Sequence, residues 1–127
     1  MTKKYRYITI GMIVVSLPVL IWISYHIYMI FFAPPNLSYI PKGELIGQSK
    51  SPNQEYTLKA YVSSGGATTD FAVRGELIFN KKDIKPKNIY WNYHEEKANI
   101  KWLNNETVII NGHKLIVPNQ TYDFRKN

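Results

Sequence analysis

The sequence contains no cysteine among its 127 residues. Small secreted domains often depend on disulfides for stability, and this route is closed here. The absence also excludes thiol catalysis, cysteine-ligated metals and a lipid anchor attached through cysteine. Stability must therefore come from packing, for which the 14% of aromatic residues supply large apolar surfaces.

Charge is absent from one long stretch. Ile8 to Ala33 is an apolar run of 26 residues without Asp, Glu, Lys or Arg. As a helix it reaches about 39 Å, more than the roughly 30 Å core of a bilayer requires. Only a helix satisfies its own backbone in hydrocarbon, so the sequence predicts a transmembrane helix over 8–33, with Pro18 inside it. The run is too long for a cleaved signal peptide and lacks a small-x-small site, which indicates an uncleaved anchor.

The cations around this run predict its orientation. Lys3, Lys4 and Arg6 precede it, whereas the first cation beyond it is Lys42. Such a bias keeps the N-terminal residues 1–7 in the cytoplasm and places the C-terminal part outside the cell membrane. His26 lies within the run, where no charged partner accompanies it. The sequence favours a neutral His26 near the outer interface over a functional one.

The residues after the anchor are mildly basic. With three of the 16 Lys and Arg on the cytoplasmic side, 13 remain against nine acids. Nucleic acid is not an expected partner, because the basic C-terminal part is predicted to lie outside the cell membrane. An anionic wall polymer, a lipid headgroup or a membrane protein stays open as a partner, beside the alternative that the charge only confers solubility.

Alternating apolar residues predict an all-β domain over 44–127, joined to the anchor by a Pro-stiffened linker over 34–43. Alternation at 56–62 and 71–79, with a loop of small residues between, predicts a long-looped hairpin. Shorter strands follow at 89–93, 100–102, 107–110 and 115–117, and Asn111-Gly112 predicts a tight hairpin turn. The tail after Pro118 is expected to add a short edge piece or to fray. The whole predicts an antiparallel sheet or a small sandwich.

The order of these motifs resembles a known family. The carrying segments are SPNQEYTLKAYVSSGGATTDFAVRGELIF, then NIYWNYHEE, IKW and VIINGHKLIVP. They are similar to the membrane-anchored proteins of Bacillus and related Firmicutes that carry a DUF5412 domain of unknown function. The resemblance implies a Gram-positive cell surface and no assigned activity or catalytic residues.

The loop of small residues is the most site-like feature. Consecutive small residues expose backbone N–H groups that can hold an anion, and an arginine can bind a phosphate or carboxylate. The candidate anion or ligand contacts are Gly65, Gly66, Thr68, Thr69 and Arg74. The favoured alternative is that the glycines form a turn and that Arg74 pairs with Asp70 or Glu76.

Two further clusters have a functional and a structural interpretation. Four lysines can contact anionic headgroups or simply line a solvated loop: Lys81, Lys82, Lys85 and Lys87. Trp91, in an aromatic-rich strand, can stack on a sugar ring, but its alternation with Ile89 favours a place in the core beside Ile89 and Trp102.

No pattern of catalytic residues is present. The sequence contains neither a Gly-x-Ser-x-Gly elbow nor a His-Glu-x-x-His metal pair. We therefore expect no catalytic residue, no metal and no cofactor. The sequence favours a non-catalytic binding or interaction module outside the cell. The alternative is an accessory subunit that contacts a membrane complex through its helix, and an unrecognised hydrolase would need a pocket that joins a histidine to the acidic residues.

Overall fold

The computed structural model describes residues 2–67 and 69–126. The chain divides into two compact units, Met1–Pro34 and Pro35–Asn127. The first is the helix α1, Lys3–Phe32, none of whose residues is buried. It is long and apolar enough to cross a membrane, as the apolar run predicts. It ends where Ala33 turns to an extended conformation, because a residue before proline avoids the helical region.

The second unit is built of eight strands in two sheets. The larger sheet has the order β1-β2-β3-β4-β8 and the smaller sheet the order β5-β6-β7. The strands are β1 Glu44–Lys50, β2 Tyr56–Ser64, β3 Phe71–Phe79, β4 Lys87–Tyr93, β5 Ile100–Trp102, β6 Thr107–Ile110, β7 His113–Ile116 and β8 Tyr122–Asp123. Short 3₁₀ turns lie at Leu37–Tyr39 and Phe124–Lys126.

One apolar core joins the two sheets. Its fully buried members include Leu58, Val73 and Leu77 of the larger sheet and Val108 and Ile110 of the smaller one. The predicted helix and small all-β domain are thus confirmed. The predicted hairpins are also confirmed: β2 pairs with β3 up to Ser64 and Phe71, and Asn111 and Gly112 adopt positive φ angles of 47° and 83° between β6 and β7.

The prediction that Trp91 belongs to the core is wrong. Gly75 pairs with Tyr90, but the next residue of β3, Glu76, pairs with Asn88. Ile89 is therefore an extra residue, a β-bulge that resets the alternation of sides. Ile89 and Tyr90 are both completely buried, whereas Trp91 lies half-buried on the opposite face. Trp102 packs against the core as predicted.

The C-terminal tail forms the last strand of the larger sheet. β8 pairs with β4 at Tyr90 and Tyr122, and the pairing is parallel. An antiparallel arrangement was predicted throughout, and parallel pairing of a two-residue strand has no local sequence signal. Phe124 follows β8 and stacks on Tyr93, with ring centroids 5.7 Å apart. This contact accounts for the partial burial of Tyr93 on the sheet face that carries Trp91.

Candidate binding site

Residues 35–42, here called the exit segment, belong to the β unit. The 3₁₀ turn within them is capped by Asn36, whose Oδ1 accepts from the Ser38 N–H at 2.8 Å. Asn88 donates from Nδ2 to the Leu37 carbonyl at 2.7 Å, and Arg74 donates from Nη2 to the Lys42 carbonyl at 2.8 Å. The segment assigned to a linker over 34–43 is therefore fixed on the larger sheet, because strand residues hold it at both ends.

Arg74 is the centre of this attachment. The residue is only 5% exposed, and its guanidinium lies 4.1 Å from the centroid of the Tyr61 ring. Besides Lys42, it donates to Glu76 at 3.0 Å and to Asn88 at 2.8 Å. A buried, fully paired guanidinium is structural. Of the two partners that the sequence left open, Arg74 pairs with Glu76, and its hydrogen bonds go to residues outside the loop of small residues.

The rim loop, residues 65–70, closes on itself. The Gly66 N–H donates to Ser64 Oγ at 3.4 Å, the Thr69 N–H donates to the Gly66 carbonyl at 3.4 Å, and the Asp70 N–H donates to the Tyr93 hydroxyl at 2.8 Å. A side chain at Gly65 would collide with Thr69. Two of the backbone N–H groups that were expected to hold an anion, those of Gly66 and Thr69, thus already have partners. Thr68 lies outside the described residues.

Asp70, the last residue of the rim loop, forms a pair with His94 that the sequence analysis did not predict. His94 Nδ1 lies 2.6 Å from Asp70 Oδ2, and Asp70 Oδ1 accepts from the Phe71 N–H at 2.8 Å. The hydrogen bond from His94, and then that from Phe71, lowers the pKa of the Asp70 carboxyl below its ordinary value. A carboxylate at this position repels an anion, so the loop's geometry does not favour the anion site.

The lowered pKa of Asp70 predicts a pH dependence. A carboxyl whose pKa falls on folding stabilises the folded state above its unfolded pKa, and this contribution disappears as the pH falls through the folded value. We expect Asp70→Asn to lower the unfolding midpoint at pH 7, with a difference that shrinks to nothing in the acid range. Urea unfolding of both proteins at a series of pH values measures it, and a difference that persists unchanged in acid would contradict the assignment.

The lysine loop, residues 80–86 with Lys87 at the start of β4, is exposed throughout. Lys81 donates to the Asn53 carbonyl and Lys87 to the Pro118 carbonyl, both at 3.0 Å. Lys82 and Lys85 donate no hydrogen bond to any residue that the structure describes, so both ammonium groups are available to a ligand. Between them Ile84 is 50% exposed. An apolar side chain flanked by cations suits a surface of anionic headgroups above hydrocarbon.

The exit segment and the lysine loop meet at one end of the larger sheet. Asn88, which holds Leu37, directly follows Lys87. From Leu37 the exit segment runs to Lys42 and Gly43, and Gly43 lies close to the Val62 carbonyl near the other end of the strands. The chain therefore enters the β domain at the end that carries the lysine loop. The rim loop lies at the opposite end, between β2 and β3.

A protein-family model covers nearly the whole chain. The family of unknown function DUF5412 matches residues 6–127. The chain belongs to this family. No curated protein and no solved structure matches it. The resemblance found in the sequence is confirmed for the family itself, and the family's description assigns no activity to the DUF5412 protein.

Acidic and histidine residues are scattered in the described part of this DUF5412 protein. Across residues 2–67 and 69–126, no three His, Asp or Glu side chains converge in a way that could hold a metal ion. Glu95 is instead a structural acceptor: it takes hydrogen bonds from the Tyr90 hydroxyl at 2.8 Å, from Asn92 and from Asn111. These bonds connect β4 to the turn between β6 and β7. The lysine loop is thus the feature that best fits a ligand.

Proposed function

We propose that this DUF5412 protein is a single-pass membrane-anchored binding module whose lysine loop contacts anionic lipid headgroups. In this proposal α1 spans the cell membrane with its N-terminus in the cytoplasm, and the β domain lies outside. The module is non-catalytic. The cations before the apolar run support the orientation, and the apolar length of α1 supports the anchor.

The observation that carries the proposal is the attachment of the exit segment beside the lysine loop. Only Pro34, Pro35 and Asn36 separate Ala33 from Leu37, and Leu37 is held by Asn88. Prolines keep so short a connection stiff. The same end of the sheet that receives the chain from the anchor therefore presents Lys82, Ile84 and Lys85.

The energies suit a tethered contact. A lysine near an anionic membrane surface contributes about 1 kcal/mol, and burial of Ile84 adds an apolar term of similar size. The summed binding free energy is too small to hold a free domain at the membrane surface. It is sufficient for a domain that its own anchor keeps at a high effective concentration there. Weak contacts of this kind depend on salt, since ions screen exposed charges over about 10 Å at 0.1 M.

A label placed in the lysine loop tests the proposal. The full chain lacks cysteine, so Asp83→Cys supplies a single thiol for a polarity-sensitive fluorophore. Ala67→Cys in the rim loop is the matched control. In vesicles that contain anionic lipid we expect a blue-shifted emission from position 83 and a water-like emission from position 67. The shift at position 83 should fall in high salt and in the Lys82→Gln, Lys85→Gln double variant.

Two results would count against this function. Emission from position 83 that is equally water-like in zwitterionic and anionic vesicles would exclude headgroup contact. Equal shifts at positions 83 and 67 would show that the domain does not present the lysine loop to the membrane. Protease digestion of intact cells stripped of their wall, which should remove the β domain from the outside, tests the orientation independently.

A further inference from the structure

One face of α1 carries a regular stripe. Its residues recur at alternating steps of four and three, which is the 3.5-residue period of a helix that packs along another helix. The members used here are Ile8, Met12, Val15, Val19, Trp22 and His26. None of them is buried within the chain. The apolar pattern alone does not identify what covers this face, because lipid tails satisfy apolar side chains equally well.

Small residues make the first half of the stripe concave. Gly11 and Ser16 flank Val15, and a Cβ added at Gly11 would meet nothing within 4 Å. Together with Ile8, Met12 and Val19 they line a shallow apolar groove along the helix. Small residues at such positions allow two helix backbones to approach closely in a membrane.

The second half of the stripe carries a hydrogen-bond donor, on Trp22, and an acceptor, on His26. His26 Nδ1 lies 2.9 Å from the Trp22 carbonyl oxygen. A carbonyl only accepts, so Nδ1 carries the proton and Nε2 of the neutral ring is an acceptor. The two rings pack at 4.1 Å between centroids. The indole Nε1–H of Trp22 is only a donor, and it meets no acceptor among the described residues.

The Trp22 donor and the His26 acceptor lie one turn apart on the same face. They can therefore pair with the acceptor and the donor of a second, identical helix. With the run 8–33 centred in the bilayer, Trp22 and His26 lie about 2 and 8 Å past its midpoint. Both are then inside the roughly 30 Å core, and His26 is not at the outer interface where the sequence analysis expects it. Hydrocarbon offers neither group a partner, and an unsatisfied polar group there is costly. A second copy of the chain inserts in the same orientation and brings its own Trp22 and His26 to the same depth. In a parallel pair with this repeat, each stripe residue inserts into a hole formed by four residues of the facing helix, so Trp22 lies beside both Trp22 and His26 of the partner.

We infer that two copies of this chain pair in parallel through the stripe on α1, with each Trp22 Nε1–H donating to Nε2 of the partner's His26. The pair has twofold symmetry, so both hydrogen bonds form together. Ile8, Met12, Val15 and Val19 pack below them, and Gly11 and Ser16 let the backbones approach. This inference rests on the membrane anchor of the proposed function and is independent of the lysine loop.

Disulfide crosslinking tests the stripe in the full chain. Val19→Cys lies on it and Ile21→Cys lies on the opposite side of the helix, and in each variant the introduced thiol is the only one. In vesicles under mild oxidation we expect Val19→Cys to form dimers and Ile21→Cys to remain monomeric. Resistance of the protein to alkaline extraction is measured on the same samples to establish insertion.

Substitutions at the polar pair test the hydrogen bonds. His26→Phe and Trp22→Phe each keep an aromatic ring and remove both interhelical bonds of the symmetric pair. We expect each to raise the dimer dissociation constant about tenfold, as energy transfer between labelled chains measures it. The double variant should be no weaker than either single variant. Tyr28→Phe, which removes a hydroxyl on the opposite face, should leave the dissociation constant unchanged.

The outcomes separate the two proposals. A protein that is inserted but monomeric, or equal crosslinking at positions 19 and 21, overturns the pairing and leaves the anchor intact. Independent, additive effects of His26→Phe and Trp22→Phe overturn the reciprocal hydrogen bonds. A protein that alkaline treatment extracts overturns the anchor, and the pairing with it.

Discussion

Replacing Arg74 with Met is expected to lower the free energy of unfolding by about 3 kcal/mol, because it leaves the partners of a buried charge without their donor. The variant keeps an apolar side chain over the Tyr61 ring and removes every hydrogen bond that the guanidinium makes. Glu76, with a side chain only 24% exposed, loses its cation, and the Lys42 carbonyl loses both of its N–H donors. Urea unfolding of the full chain in detergent, followed by tryptophan emission, measures the change.

Arg125→Met is the matched control for this variant. Arg125 also pairs with a carboxylate, Asp123, at 2.7 Å, but its own side chain is 29% exposed against 6% for Arg74. Because the Asp123 side chain is only 2% exposed, Arg125→Met should also destabilise the domain, so this variant controls for the loss of a buried ion pair. Arg74→Met should also expose residues 35–42 to protease under native conditions, and Arg125→Met should not. Equal midpoints for Arg74→Met and the unsubstituted chain would show that Arg74 does not hold the exit segment.

The second large effect is expected at Tyr90, whose replacement with Ala should cost about 3–5 kcal/mol. The ring is fully buried and stacks on Tyr122 at 5.5 Å between centroids. Tyr90 packs closely against Gly75 of β3, where an added Cβ would lie 2.8 Å from Tyr90 Cβ. Burial, and then the hydrogen bond to Glu95, raises the pKa of the Tyr90 hydroxyl. The raised pKa keeps the hydroxyl protonated, as a donor to Glu95, into the alkaline range.

Two control variants separate the contribution of the Tyr90 hydroxyl from that of its buried ring. Tyr90→Phe keeps the ring and should cost about 1–2 kcal/mol for the lost hydrogen bond to a carboxylate. Trp91→Ala removes a larger ring from a half-buried site and should cost less than Tyr90→Ala. The comparison uses calorimetric or urea midpoints of the three variants. A greater loss from Trp91→Ala than from Tyr90→Ala would mean that the strand alternates without the bulge and that Trp91 belongs to the core.

The parts of the fold that the sequence predicted are those with local causes. The apolar run specifies a helix by its length alone. Alternation over 56–62 and 71–79 specifies β2 and β3, because a shift by one residue would turn their apolar side chains to the solvent. Asn111 and Gly112 tolerate positive φ angles, so their turn is encoded by two adjacent residues. These elements needed no knowledge of distant partners.

The site depended on partners that lie far apart in sequence. Arg74 finds the Lys42 carbonyl 32 residues away, and Asp70 finds His94 24 residues away. A single inserted residue, Ile89, exchanged the roles of Tyr90 and Trp91, and no residue of that segment marks a bulge. Ile84 does have a sequence signal, since an isoleucine between lysines in KKDIKPK is unusual for a loop that only needs to be soluble. The charges of the neighbouring lysines dominate that segment, and the apolar residue stands out only beside them.

The attachment of residues 35–42 also has a mechanical consequence. We expect a pull on the β domain away from α1 to load the Asn88 bond to Leu37 first and the Arg74 bonds to Lys42 next. These bonds should break one after another, and the core between the two sheets should bear load only after the exit segment is free. Eight residues span at most about 26 Å at 3.3 Å per residue, and part of this length is already used along the sheet. Release of the exit segment therefore lengthens the connection to α1 by less than about 26 Å before any strand unfolds.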